Sequence, residues 1–141
     1  MPESSSPRVV IDTNVIFEGL TQRGRAAGLV IDAWLAGLLS VYVSSALAYQ
    51  YVAVLSRKLS EVRWQHIRPV LGHLLAQAEF VTVYYTWRPT SPDPADEKVI
   101  DCAMNAGAAV ITANVRDFDL ARRTLGLHVM TPAELIARLT E

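Results

Sequence analysis

The chain has 141 residues, enough for one domain and hardly for two. Apolar residues make up 51% and charged residues 19%, a share too low and apolar residues spread too evenly for a disordered chain. The net charge of −1 excludes nucleic-acid binding through bulk positive charge, and the single Cys102 excludes a disulfide framework or a zinc site built from several thiolates. No apolar run reaches the ~18 residues of a membrane span. Residues 1–7 lack a basic segment followed by an apolar one and read as a flexible tail before a single domain over 8–141. A soluble cytoplasmic protein is the expectation.

In chain order, Arg8-Val-Val-Ile11 is a short β-branched run typical of a buried strand. Residues 24–36 place Ala27, Val30, Ile31, Trp34 and Leu35 at helical spacing, with Gly37 as a stop. A second strand is predicted over 39–43. Ser44 or Ser45 caps a helix running to about Ser56. A further helical pattern covers 61–78 through Trp64, Ile67, Val70, Leu71 and Leu74, with Pro69 expected to kink or split it. Residues 80–84 predict a third strand. The stretch 86–94, with three prolines, predicts a loop. Asp93-Pro94-Ala95-Asp96 then opens a helix with an acidic cap, Pro at the first position and an acid at the third, ending near Gly107. A fourth strand over 109–112, a helix over 116–124 and a fifth strand over 127–130 follow. Thr131-Pro132-Ala133-Glu134 is a capping box that starts the last helix. Short apolar strands alternating with helices predict an α/β fold, a parallel sheet with helices on both faces.

In such sheets ligand sites form at the carboxyl ends of the strands. Asp12 follows the first strand, Asp93 and Asp96 follow the third, and Asp117 follows the fourth. Carboxylates gathered on one edge repel one another unless a cation joins them. Their hard oxygens suit Mg²⁺ or Mn²⁺, ions that activate water and stabilise a phosphate under in-line attack. A nuclease or phosphatase site is the natural reading. Each acid also has a plainer role: Asp12 in a turn, Asp93 as a helix cap, Asp96 at the third helical position, Asp117 in a solvated loop. Their shared edge is what raises the catalytic reading.

The sequence also resembles the PIN-domain family. Val9-Val-Ile-Asp-Thr-Asn-Val15 resembles its first motif, Ser45 to Arg57 its second, Asp93-Pro-Ala-Asp-Glu-Lys-Val-Ile-Asp-Cys-Ala103 its third and Val110-Ile-Thr-Ala-Asn-Val-Arg-Asp-Phe118 its fourth. The ending Thr131-Pro-Ala-Glu-Leu135 resembles the VapC-like subgroup, toxins of toxin–antitoxin pairs. The resemblance implies a three-layer α/β/α sandwich around a parallel sheet and Mg²⁺- or Mn²⁺-dependent cleavage of single-stranded RNA. It also implies an antitoxin protein as partner and a homodimer. Carried over by position, Asp12, Asp96 and Asp117 are the metal ligands and catalytic acids. Thr13, Asn14, Asp93, Thr112 and Asn114 support the site, Thr112 by orienting Asp12. Arg116 is a candidate RNA contact.

One position departs from the family pattern. Where its second motif carries Glu, this chain has Gln50, and no Asp or Glu occurs between positions 33 and 60. A glutamine carbonyl accepts a hydrogen bond from a metal-bound water but carries no charge to draw the ion in. Glu18 and Glu97 are the nearest candidates to compensate. The departure opens a second reading, a degenerate PIN domain that binds RNA or protein with weak or no cleavage. A phosphoacceptor role for Asp12 fits less well, because the second acid of that motif is here Asn14. Tyr49 and Tyr51 flank Gln50. Arg23, Arg25, Arg57 and Lys58 offer a modest basic rim, with solvated surface charge as the plainer reading. His66 and His73 read as surface positions and Cys102 as a buried, inert thiol.

Overall fold

The computed structural model describes residues 6–88 and 91–141. Positions 1–5 of the expected tail, and positions 89–90 within the proline-rich loop, lie outside them. The elements run β1 (Arg8–Ile11), α1 (Thr13–Thr21), α2 (Ala26–Leu35), β2 (Ser40–Val43), α3 (Ser45–Lys58), α4 (Glu61–Gln77), β3 (Glu79–Phe80), α5 (Pro94–Ala106) and β4 (Ala109–Ile111). A 3₁₀ turn (Val115–Phe118), α6 (Asp119–Leu125), β5 (Val129–Met130) and α7 (Pro132–Leu139) complete the chain.

The five strands form one sheet in the order β3-β2-β1-β4-β5, every pairing parallel. Val9 pairs with Val41 on one side and Ala109 on the other, and Ile11 pairs with Ile111. Val9, Val10, Ile11, Val43, Val110 and Ile111 are all buried, as strands covered on both faces must be. Crossovers between parallel strands are right-handed as a rule, which puts the helices between β1 and β3 on one face and α5 on the other. There α5 lies against β1, β2 and β4, while α7 returns to pack on α2. The result is the three-layer α/β/α architecture. The first connections walk outward from β1 through β2 to β3, and the chain then returns to β4 on the opposite side of β1. That reversal makes the carboxyl ends of β1 and β4 the topological switch point, where open α/β sheets form their crevices.

Local chemistry accounts for the element ends. Ser44 caps α3 by accepting from Leu47 N at 3.1 Å, and Ser60 caps α4 by accepting from Arg63 N at 3.2 Å. The capping box at Thr131 and Glu134 is formed in both directions. Gly107 ends α5 at φ 64°, the left-handed conformation in which a side chain costs energy.

Four expectations change. Residues 13–21, given no element of their own, form α1. Val15, Ile16, Gly19 and Leu20 are buried in a helical stripe, and no cap hydrogen bond or acidic first turn announces it. Gly19 lets α1 meet α2, because a Cβ there would lie 2.7 Å from the Ala27 carbonyl oxygen. Pro69 does not split α4. It sits on the exposed face, so the carbonyl its missing N–H leaves unbonded meets water. The third strand is two residues long instead of the expected 80–84. Phe80 already pairs with Val43, the last residue of β2. Beyond it, the N–H groups of Tyr84 and Tyr85 donate to the Asn105 side chain instead, at 3.0 and 3.2 Å. The helix expected over 116–124 is a 3₁₀ turn running into α6.

Candidate active site

Asp12 leaves β1 and caps α1 in extended conformation. Its N–H donates to Ile111 O at 2.9 Å, continuing the β1–β4 pairing past the last strand residue. Its Oδ2 accepts from Thr112 Oγ1 at 2.7 Å, and that hydroxyl accepts in turn from Asn114 N at 3.0 Å. Thr112, expected to orient Asp12, thus makes a buried hydrogen bond to it. Beneath Asp12, the fully buried Tyr51 donates its hydroxyl to Ile11 O. Tyr51 therefore braces the end of β1 from the core, while its neighbour Tyr49 is 76% exposed.

Asp96 is the third residue of α5 and is buried. Its Oδ2 accepts from Ser91 Oγ at 3.1 Å. The same hydroxyl accepts from Asp93 N at 3.2 Å and lies 3.4 Å from Asp117 O, so Ser91 knits the third-motif and fourth-motif segments together. Asp93 caps α5, with Oδ1 accepting from Ala95 N at 3.0 Å. It therefore does the structural work of a cap while also lining the site.

A cavity of 180 Å³ brings Asp12, Thr13, Asn14, Gln50, Asp93 and Asp96 together, with Val54, Arg57, Lys58 and Ala95 completing its wall. Gln50 spans it: Nε2 donates to Thr13 Oγ1 at 2.9 Å and to Ala95 O at 3.2 Å, tying α3 to the first turns of α1 and α5. Asp117 is exposed and does not line the cavity, although its charge is felt by both Asp12 and Asp96. Asn114 contributes its backbone, donating to Thr112 and accepting from Asp117 N at 3.0 Å. Arg116 is exposed and forms no ion pair among the described residues.

Neither candidate for replacing the missing acid reaches this cavity. Glu18 is absent from its wall. Glu97 pairs with Arg88 at 3.2 Å, and Arg88 grips Asp101 with two further bonds of 2.9 and 2.7 Å. Larger hollows of 420 and 600 Å³ lie beside Leu127 and His128, but no carboxylates converge there.

The electrostatics follow from burial. Asp96 is pushed up to about 6, first by burial, then by the charge of Asp12, with Asp93 and Asp117 adding and the Ser91 hydrogen bond opposing. Asp12 is also raised, again by burial first. Thr112 and the N–H groups of Thr13 and Asn14 pull it back, and Asp117 adds to the rise. Two buried carboxylates that resist ionising beside each other are a site short of positive charge. Among the described residues no three His, Cys, Asp or Glu side chains are already arranged around one point. Mg²⁺, however, binds through one or two carboxylates and keeps several waters. Asp12 and Asp96 fit such an ion.

A family model for the PIN domain matches residues 8–116, from β1 into the turn after β4, ending one residue before Asp117. The chain belongs to the PIN-domain family. Its members are generally nucleases. No sequence among the curated proteins matches the chain. Solved structures that share the fold include the following two. A PilT N-terminus domain protein from the hyperthermophilic archaeon Sulfolobus solfataricus P2 superposes with a TM-score of 0.54 at 12% identity, over 95% of this chain and 94% of that one. FitAB bound to an IR36 DNA fragment superposes with a TM-score of 0.57 at 18% identity, over 88% of this chain and 94% of that one. No described helix of this PIN domain is long and apolar enough to cross a membrane.

Sequence reasoning missed Ser91 and the bracing role of Tyr51. Ser91-Pro-Asp93 ahead of a helix is a signal for a hydroxyl-stabilised turn. Tyr51 sends no such signal, since its role depends on α3 packing under β1.

Proposed function

We propose that this PIN domain is a metal-dependent endoribonuclease acting on single-stranded RNA, and the toxin of a toxin–antitoxin pair. The observation that carries the nuclease reading is the meeting of Asp12 and Asp96, buried and mutually repelling, at the switch point of the sheet. In this reading Asp12 and Asp96 hold Mg²⁺ or Mn²⁺ and Asp117 assists through its charge. The bound ion supplies activation of water and neutralisation of the phosphate. The chain's own residues prepare the geometry. Thr112 and Ser91 each fix one carboxylate oxygen, and Gln50 holds the two helix N-termini apart at a set distance. Arg57 and Lys58 present positive charge to an incoming phosphodiester. The toxin assignment rests on the resemblance of the chain's ending to the VapC-like subgroup, and an antitoxin would act by covering the acid cavity.

Gln50 favours a second reading, an RNA- or protein-binding domain that cuts weakly or not at all. One assay separates them: incubation of a mixed-sequence single-stranded RNA with the purified protein and Mg²⁺ or Mn²⁺, beside EDTA and Asp12→Asn controls. Cutting that is lost in both controls supports the nuclease. Intact RNA with folded protein at saturating metal supports the binding domain.

A further inference from the structure

The acid cavity does not end at Gln50. A second hollow of 270 Å³ opens beside it, with Tyr49, Arg57 and Lys98 in its wall. The two share Gln50, Val54, Arg57 and Ala95, so they form one groove between α3 and the first turns of α5. The chemistry changes along it. One end holds Asp12, Asp93 and Asp96, whereas the other has no carboxylate in its wall. Arg57 and Lys98 are exposed there, and neither forms an ion pair among the described residues. The Tyr49 ring, 76% exposed, stands at the rim. Gln50 is the neutral divider between the two ends, and a carboxylate in its place would extend the negative charge toward the cations.

Cations that track a backbone, together with an aromatic face for a base, are the components of a single-strand binding groove. Tyr49 and Arg57 are eight residues apart on one helix, about 12 Å along its axis, a length that covers three or four stacked nucleotides at about 3.4 Å each. Building on the nuclease reading above, we infer that this groove seats the RNA segment adjoining the reacting phosphate. An unpaired base stacks on Tyr49, and phosphates of the same strand lie against Arg57 and Lys98. A base held in a duplex cannot offer its face to Tyr49, so the groove selects single strands. Tyr49 is then a specificity residue that touches substrate away from the reacting atoms.

The test is binding of a short labelled single-stranded RNA to the full chain carrying Asp12→Asn, in EDTA, followed by fluorescence anisotropy. Adding Tyr49→Ala weakens binding about 5-fold or more, the scale of losing one base stack. Tyr49→Phe restores it. Arg57→Ala and Lys98→Ala each reduce the slope of log affinity against log salt by about 0.7. Arg138→Ala, at the opposite edge of the sheet, changes neither. The same RNA in a duplex shows no dependence on Tyr49. Equal affinity across all variants, or no binding by the Asp12→Asn chain, overturns the inference. Cleavage by the wild type is scored separately. Cutting together with unchanged affinity in Tyr49→Ala keeps the nuclease and discards the groove. Tyr49-dependent binding without cutting keeps the groove and discards the nuclease.

Discussion

If Asp96 holds Mg²⁺ as proposed, replacing it by Asn is expected to stabilise the protein in EDTA and to remove any stabilisation that Mg²⁺ gives the wild type. The Asp96 carboxyl ionises at about 6 in the folded protein against 3.8 as the ordinary value, because it is buried beside Asp12. Each tenfold change in proton affinity is about 1.4 kcal/mol, so the ionised group opposes folding by at most about 3 kcal/mol at neutral pH. Water in the open cavity screens part of this. Asparagine at the third helical position also forgoes about 0.3–1 kcal/mol of attraction to the helix N-terminus. Its amide oxygen can still accept from Ser91. A net gain of about 1–2 kcal/mol remains, or roughly 3–7 °C in melting temperature for a domain of this size. A carboxyl raised in the folded state binds its proton more tightly there, so its stabilising protonation is lost as pH rises from about 4 to about 6. The advantage of Asp96→Asn is therefore absent below about pH 4 and complete above about pH 7. Thermal denaturation across that range, in EDTA and then with saturating Mg²⁺, reads both effects. A variant that melts lower than wild type in EDTA at neutral pH, or that gains as much from Mg²⁺, refutes the reasoning.

Gln50→Glu adds a fourth carboxylate to the cavity and breaks the amide's bond to Ala95 O. It lowers stability in EDTA and raises divalent-ion affinity by about 10–100-fold, the scale typical of one supporting ligand partner, as titration calorimetry would show. Gly19→Ala forces a Cβ against the Ala27 carbonyl and Ile31. Overpacking of this kind costs about 1–3 kcal/mol, measurable as a lower urea midpoint with unchanged slope. The Cys102 thiol, buried and pushed up to about 12, stays unlabelled by a thiol reagent in native protein and reacts once the chain is denatured. Labelling at native conditions at the rate of a free thiol would contradict its place in the core.

Much of this protein was legible in its residues because the signals are local. A β-branched run followed by Asp marks β1 and Asp12. A capped Pro-containing helix start marks α5, and a reciprocal capping box marks α7. Period and cap chemistry act over a few residues, so the α/β alternation and the acids at strand ends follow from them. Other features depend on partners distant in sequence. The helix at 13–21 exists because Gly19 admits α2. The third strand stops at Phe80 because β2 stops at Val43. Pro69 is harmless because its face meets water. Sequence alone placed Asp12, Asp93, Asp96 and Asp117 at one edge of the sheet, and identified Gln50 as the departure. Only the tertiary structure put Asp12 and Asp96 inside the cavity and left Asp117 exposed and outside its wall. It also turned Glu97 to Arg88, set Arg57 in the wall shared by the acid cavity and the hollow beside it, and placed Lys98 in that second hollow. Those outcomes are decided by strand order and helix packing, which bring together groups that no spacing along the chain connects.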